Sequence, residues 1–150
     1  MEIQFRKAER AKAKLRLALI GAPGSGKTYS ALRIAKGLGG KTAMIDTEAS
    51  SGDLYATDFE YDIVTMNPPF QTEKYIAAIH AAEEAGYDNI IIDSLSHAWI
   101  GQGGTLDKKS SIDAAGGNSF TNWAKVNPGF HALVDAILHS SCNVISTIRA

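Results

Sequence analysis

Gly21-Ala22-Pro23-Gly24-Ser25-Gly26-Lys27-Thr28 is the stretch on which the fold of this chain is decided. It follows the pattern G-x-x-x-x-G-K-[ST]. Before it runs Leu15-Arg16-Leu17-Ala18-Leu19-Ile20, an apolar segment that reads as a strand buried in a parallel sheet. After it, Ala31, Leu32, Ala35 and Leu38 recur on one face of a helix that starts near Lys27 and stops at Gly39-Gly40. Strand, glycine-rich turn and helix form the setting in which such a loop grips phosphate. Glycines let the backbone curl so that successive N–H groups point inward, and the helix adds the positive end of its dipole. Lys27 is expected to reach the β- and γ-phosphates, and the Thr28 hydroxyl to ligate Mg²⁺. Tyr29, next in the chain, joins residues 21–28 among the expected nucleotide contacts. The expected ligand is ATP with Mg²⁺.

Further along, residues 42–45, 61–66, 89–93 and 143–148 read as strands. Residues 71–85 read as a helix with Tyr75, Ile76, Ile79 and Ala82 on its apolar face. Residues 120–139 read as a helix broken or kinked near Asn127-Pro128. Residues 101–119 show little periodicity and read as a loop. Strands alternating with helices predict an α/β fold of the P-loop NTPase type: a mainly parallel five-stranded sheet with helices on both faces.

The 150 residues suit one domain. With 45% hydrophobic and 21% charged residues, disorder is not the default reading. The net charge of −1 gives no overall basic field that would advertise nucleic acid. Residues 1–14, with Arg6, Lys7, Arg10, Lys12 and Lys14, read as a basic arm, a short exposed helix or frayed segment ahead of a core at 15–150. This arm lacks the apolar centre of a signal peptide, and no apolar run approaches a membrane span, so a soluble cytoplasmic protein is expected. The lone Cys142 reads as a small buried hydrophobe. His80, His97, His131 and His139 show no metal-ligand spacing with cysteine. The chain ends directly after its fifth strand, which suggests a fragment or a trimmed version of a longer protein.

Ile90-Ile91-Ile92-Asp93-Ser94 is an apolar strand ending in an acid. An aspartate there can hold Mg²⁺, often through water, so Thr28 and Asp93 are the expected metal-associated pair. Many P-loop ATPases place a glutamate directly after this aspartate, but here Ser94 follows. Another carboxylate must then polarise an attacking water. The candidate is Glu48, at the end of Met44-Ile45-Asp46-Thr47-Glu48. If the two strands are neighbours, Glu48 and Asp93 converge on one γ-phosphate. Glu48 and Lys27 are the expected catalytic residues. Asp46 is either a structural acid at the strand end or part of the site.

These residues resemble the ATPase core of RecA-type recombinases. More narrowly, they resemble the short RecA-like ATPases that phages carry with single-strand annealing and recombination genes. The resemblance spans about residues 15–149, and its specific parts lie at 21–28, 43–48 and 90–94. It implies that Glu48 is the catalytic glutamate and Asp93 the magnesium-linked aspartate. It also implies a tyrosine stacked on adenine, and Tyr55 holds the matching place, where a packed surface tyrosine is the alternative. The strand whose end senses γ-phosphate matches 144–149. Thr147 stands where the recombinases have glutamine, and Arg149 can contribute charge instead. A first DNA-binding loop would fall at 99–119, with Lys108, Lys109 and Trp99 as contacts. The implied partners are single-stranded DNA, a single-strand annealing or recombination protein, and other copies of the chain. The alternatives are a nucleotide-gated assembly module with little hydrolysis and a P-loop small-molecule kinase. The kinase would need lid arginines that 101–119 lacks, and no Asn-Lys-x-Asp motif suggests GTP.

Overall fold

Three consecutive isoleucines show why helices cover both sides of the sheet. The computed structural model describes residues 1–8, 13–49 and 51–150. Its strands are β1 (Arg16–Gly21), β2 (Thr42–Asp46), β3 (Asp62–Thr65), β4 (Asn89–Asp93) and β5 (Asn143–Arg149). Its helices are α1 (Lys27–Leu38), α2 (Thr72–Glu84), α3 (His97–Ile100), α4 (Thr105–Ala115) and α5 (Ser119–Leu138), with a 3₁₀ turn at Ser51–Tyr55. Successive residues of a strand face opposite sides. Ile90 and Ile92 therefore join Ile45 and Val144 on one face, with Tyr75 and Ile79 of α2 and Leu133 of α5. Ile91 joins Met44 and Ile145 on the other, with Ala31, Leu32 and Ala35 of α1. Each isoleucine is fully buried and stabilises the fold by roughly 1.5–3 kcal/mol. Leu38, expected on the same stripe of α1, is exposed instead.

All pairings are parallel, in the order β1-β5-β4-β2-β3. The chain thus has the expected α/β P-loop architecture. The register sets Asp46 opposite Asp93 and Gly21 opposite Arg149, so the polar strand ends gather at one rim. One expectation is corrected: β1 is a border strand, and Ile20 is 68% exposed. An apolar run looks the same whether a strand has one neighbour or two.

The stretch 101–119 is also corrected. Much of it is α4, and it carries no apolar stripe because polar side chains fill its buried face. Thr105 is buried with its hydroxyl on the Ala98 carbonyl at 2.9 Å. Lys109 is buried, donating to Asp113 at 2.6 Å and Ser119 at 2.9 Å, and its ammonium lies 4.7 Å from the Trp123 ring centre. Asn122 closes the cluster, donating to Asp113 at 2.9 Å. Of the expected break or kink at Asn127-Pro128 the break is absent, since the helical assignment of α5 continues through Pro128. Asn118 caps that helix by accepting from Phe120 and Thr121.

Residues 1–8 of the basic arm are exposed and form neither helix nor strand; Arg10 and Lys12 lie outside the described residues. Among the described residues no helix is long and apolar enough to cross a membrane. Cys142 is buried, and burial pushes its thiol pKa up.

The hydrogen bond from Lys109, helped by those from Asn122 and Ser119, lowers the Asp113 carboxyl from 3.8 to about 2. A depressed folded pKa stabilises the protein fully above the ordinary carboxylate range and is lost as pH falls through the folded value. Asp113→Asn is therefore expected to lower Tm at neutral pH. Melts at a series of pH values should show its gap from the parent narrowing as pH drops from 3.8 toward about 2.

Candidate nucleotide site

The loop after β1 turns because two of its glycines take left-handed backbone. Gly24 has φ 77° and Gly26 φ 90°, where side chains are strained. Gly26 ends the turn and stands at the N-cap of α1, with no side chain capping the helix and no acid in its first turn. The amide donors of that turn are thus not taken by a capping side chain. Lys27 folds back over the loop, its ammonium donating to the Gly21 and Ala22 carbonyls at 2.7 and 2.9 Å. Ser25 closes the turn through its N–H to the Ala22 carbonyl at 3.1 Å.

Thr28, one residue into α1, reaches the sheet. Its hydroxyl donates to Asp93 Oδ2 at 2.7 Å. On its other oxygen Asp93 accepts from Thr147 at 2.7 Å. Thr147 is fully buried, so it sits behind Asp93 as a support and does not face the hollow. The strand end expected to meet the γ-phosphate is occupied instead by Arg149.

Glu48 lies just past β2. The Asp46 carboxylate accepts the Glu48 N–H at 2.8 Å, so Asp46 sets the backbone that carries Glu48. Sequence reasoning missed Thr47, the residue between the two acids. Its N–H donates to the Asp93 carbonyl at 2.8 Å, its hydroxyl accepts the Ser94 N–H at 2.9 Å, and it contacts His97 Nδ1 at 2.7 Å. His97 in turn stacks on Phe70, with ring centres 4.6 Å apart. Tyr75 donates to the Ser94 carbonyl at 3.0 Å, and burial raises its phenol pKa. The β2 and β4 ends are thereby locked together. A threonine between two strand-end acids was the available signal, but only the pairing of β2 with β4 reveals its target.

Pro23, Gly24, Gly26, Lys27, Thr28, Glu48, Tyr55, Asp93 and Arg149 line one hollow of about 250 Å³. A larger hollow of about 420 Å³ lies elsewhere, beside α4 and α5, and contains none of these groups. The smaller one is the candidate site because the loop, both cations and both acids meet there. Tyr55 stands at its rim and meets Tyr29 edge-on at 5.8 Å, and Tyr29 meets Phe59 at 5.4 Å. Tyr29 is thus on the aromatic border, and Tyr55 has one ring neighbour while still lining the hollow. Glu48 and Arg149 form an ion pair across it.

The donor set fits a magnesium triphosphate. Glycine-shaped amides and an ammonium suit phosphate oxygens, while a hydroxyl beside a carboxylate suits a hard cation. Thr28 and Asp93 would hold Mg²⁺, and residues 21–28 the phosphates. The expected DNA contacts fare differently. Trp99 stacks on Trp123 at 6.0 Å and meets Phe130 edge-on at 5.0 Å, and Lys109 is buried in its ion pair. Of the three, Lys108 alone is exposed.

A search of curated proteins finds no match to this chain. A family model described as an AAA domain matches residues 13–150, which takes in the loop, both acids and every strand. The chain therefore belongs to the AAA-domain family of P-loop ATPases.

Proposed function

We propose that this chain binds ATP with Mg²⁺ in the 21–28 loop and hydrolyses its β–γ phosphoanhydride. The observation that carries the reading is the meeting of Lys27, Thr28, Asp93 and Glu48 on one hollow at the rim of the sheet. Lys27 and the loop amides bind and orient the triphosphate. When bound, Mg²⁺ supplies charge neutralisation on the β- and γ-oxygens. Glu48 takes a proton from a water as the water oxygen bonds to the γ-phosphorus and the bond to the bridging oxygen breaks, releasing ADP and phosphate. Tyr55 and Tyr29 supply an aromatic border against which a base can stack.

The finer reading is a RecA-like ATPase of DNA recombination, repair or single-strand annealing, phage-type and magnesium-dependent, acting as assembled copies with single-stranded DNA and an annealing or recombination protein. It rests on the resemblance and on the acid being Glu48 with Ser94 after Asp93. A second reading is a nucleotide-gated assembly module with little turnover. The ion pair that engages Glu48 favours it for an isolated chain. ATP turnover with and without single-stranded DNA separates the two: stimulation by DNA supports the finer reading, and tight binding without turnover supports the module.

Lys27→Ala is expected to weaken ATP binding by roughly 1.5–3 kcal/mol, the loss of charge-assisted hydrogen bonds. Calorimetric titration reads this directly, and unchanged affinity would remove the loop from the site. Glu48→Gln is expected to leave triphosphate binding no weaker while slowing turnover by roughly 10²–10⁴. Phosphate release at the parental rate would rule Glu48 out as the base.

A further inference from the structure

Thr47 stands between Asp46 and Glu48, and its hydroxyl is held by a residue that does not line the hollow. A hydroxyl offers one proton and two lone pairs. One lone pair takes the Ser94 N–H at 2.9 Å. The proton has two acceptors within reach, His97 Nδ1 at 2.7 Å and the Ser94 carbonyl at 3.2 Å. That carbonyl already accepts from Tyr75 at 3.0 Å. The proton therefore goes to Nδ1, which puts the imidazole hydrogen on Nε2.

We infer that His97 is a positioning residue for hydrolysis: through the Thr47 hydroxyl it fixes the backbone that carries Glu48, without touching the nucleotide. This rests on the reading of the hollow as an ATP site and of Glu48 as its base. Thr47 is buried and joins the ends of β2 and β4 twice, by its N–H to the Asp93 carbonyl at 2.8 Å and by its hydroxyl to the Ser94 N–H. Glu48 is the next residue, so the setting of Thr47 sets where the acid begins. A shift of about 1 Å at a reacting group can cost roughly a hundredfold in rate. His97 is itself held on two sides. Its ring stacks on Phe70, with centres 4.6 Å apart and planes at 19°. The turn after α3 closes over both residues: the Phe70 N–H donates to the Gln102 carbonyl at 2.7 Å, and the Gly101 N–H to the His97 carbonyl at 2.9 Å. A Cβ on Gly101 would lie 2.7 Å from the His97 carbonyl oxygen and from the Phe70 ring, and one on Gly104 would lie 2.6 Å from the same oxygen. Only glycine lets the turn come this close. The turn is thus shaped to hold the histidine, and the histidine holds Thr47.

The test is ATP turnover, together with the affinity of a non-hydrolysable ATP analogue, for the parent, His97→Phe, His97→Asn, Gly101→Ala and the double variant that combines His97→Phe with Gly101→Ala, each checked by thermal melting. His97→Phe keeps a ring against Phe70 and removes the nitrogen. It is expected to lower kcat about tenfold while analogue affinity changes by less than about twofold. Asparagine keeps an acceptor near the place of Nδ1, so His97→Asn is expected to recover most of kcat although it loses the stacked ring. A role in packing alone gives the opposite order, with Phe tolerated and Asn harmful. Gly101→Ala is expected to lower kcat severalfold with affinity unchanged. The double variant is expected to match His97→Phe within about twofold, because both changes act through one contact. Parental kcat in His97→Phe would overturn the inference, and so would a faster Phe than Asn variant or losses that multiply in the double variant. Should His97→Phe not fold, Gly101→Ala decides: kcat and affinity that both hold, or that fall together, would overturn the inference. A parent that does not bind the analogue, or Glu48→Gln that releases phosphate at the parental rate, would instead remove the reading of the site and the inference with it.

Discussion

A carboxylate almost removed from water must have partners, and Asp93 has two of them. It is 4% exposed and accepts hydroxyl hydrogen bonds from Thr28 and Thr147 on its two oxygens. A buried charge without such donors would be expensive. The need is met by one residue from the helix after the glycine-rich loop and one from the neighbouring strand. The same two bonds therefore dock the loop helix on the sheet and align β4 with β5. Around them the remaining polar rim assembles: Thr47 ties β2 to β4, Asp46 sets Glu48, and Lys27 caps the loop carbonyls.

This arrangement explains the mixture of rigidity and openness at the rim. The backbone positions of the functional groups are fixed by buried bonds at strand ends. Their side chains toward solvent are held more loosely, by an exposed ion pair and by a lysine resting on carbonyls. Proposed phosphate binding then replaces internal partners with stronger anionic ones, with little movement of the main chain. Such preorganisation is what electrostatic catalysis requires.

Much of the fold was legible in the sequence because its determinants are local. The glycine pattern at 21–28, the apolar runs and the helical stripe of α2 each carry their own period. The elements that were misread lack such a signal. Helix α4 buries Lys109 and Thr105 in place of a hydrophobic stripe, so its period is invisible until Asp113, Ser119 and Asn122 are seen around it. Pro128 sits within a helix held by tertiary packing, which outweighs its local preference. At the site, the loop, Asp93 and Glu48 could be singled out from residue type and position. The burial of Thr147, the clamp by Thr47 and the pairing of Arg149 with Glu48 could not. Each depends on which strands are neighbours, and strand order is a long-range property.

The border position of β1 has a mechanical consequence. β1 hydrogen-bonds to one strand, β5, and β5 carries Arg149 directly opposite Gly21. The phosphate loop and the guanidinium are therefore mounted on one two-stranded ribbon, while Glu48 follows a strand on the far side of β4. The β4–β5 ladder and the Thr147–Asp93 bond tie that ribbon to the rest of the sheet, so the width of the hollow is set by the spacing of strands across β4.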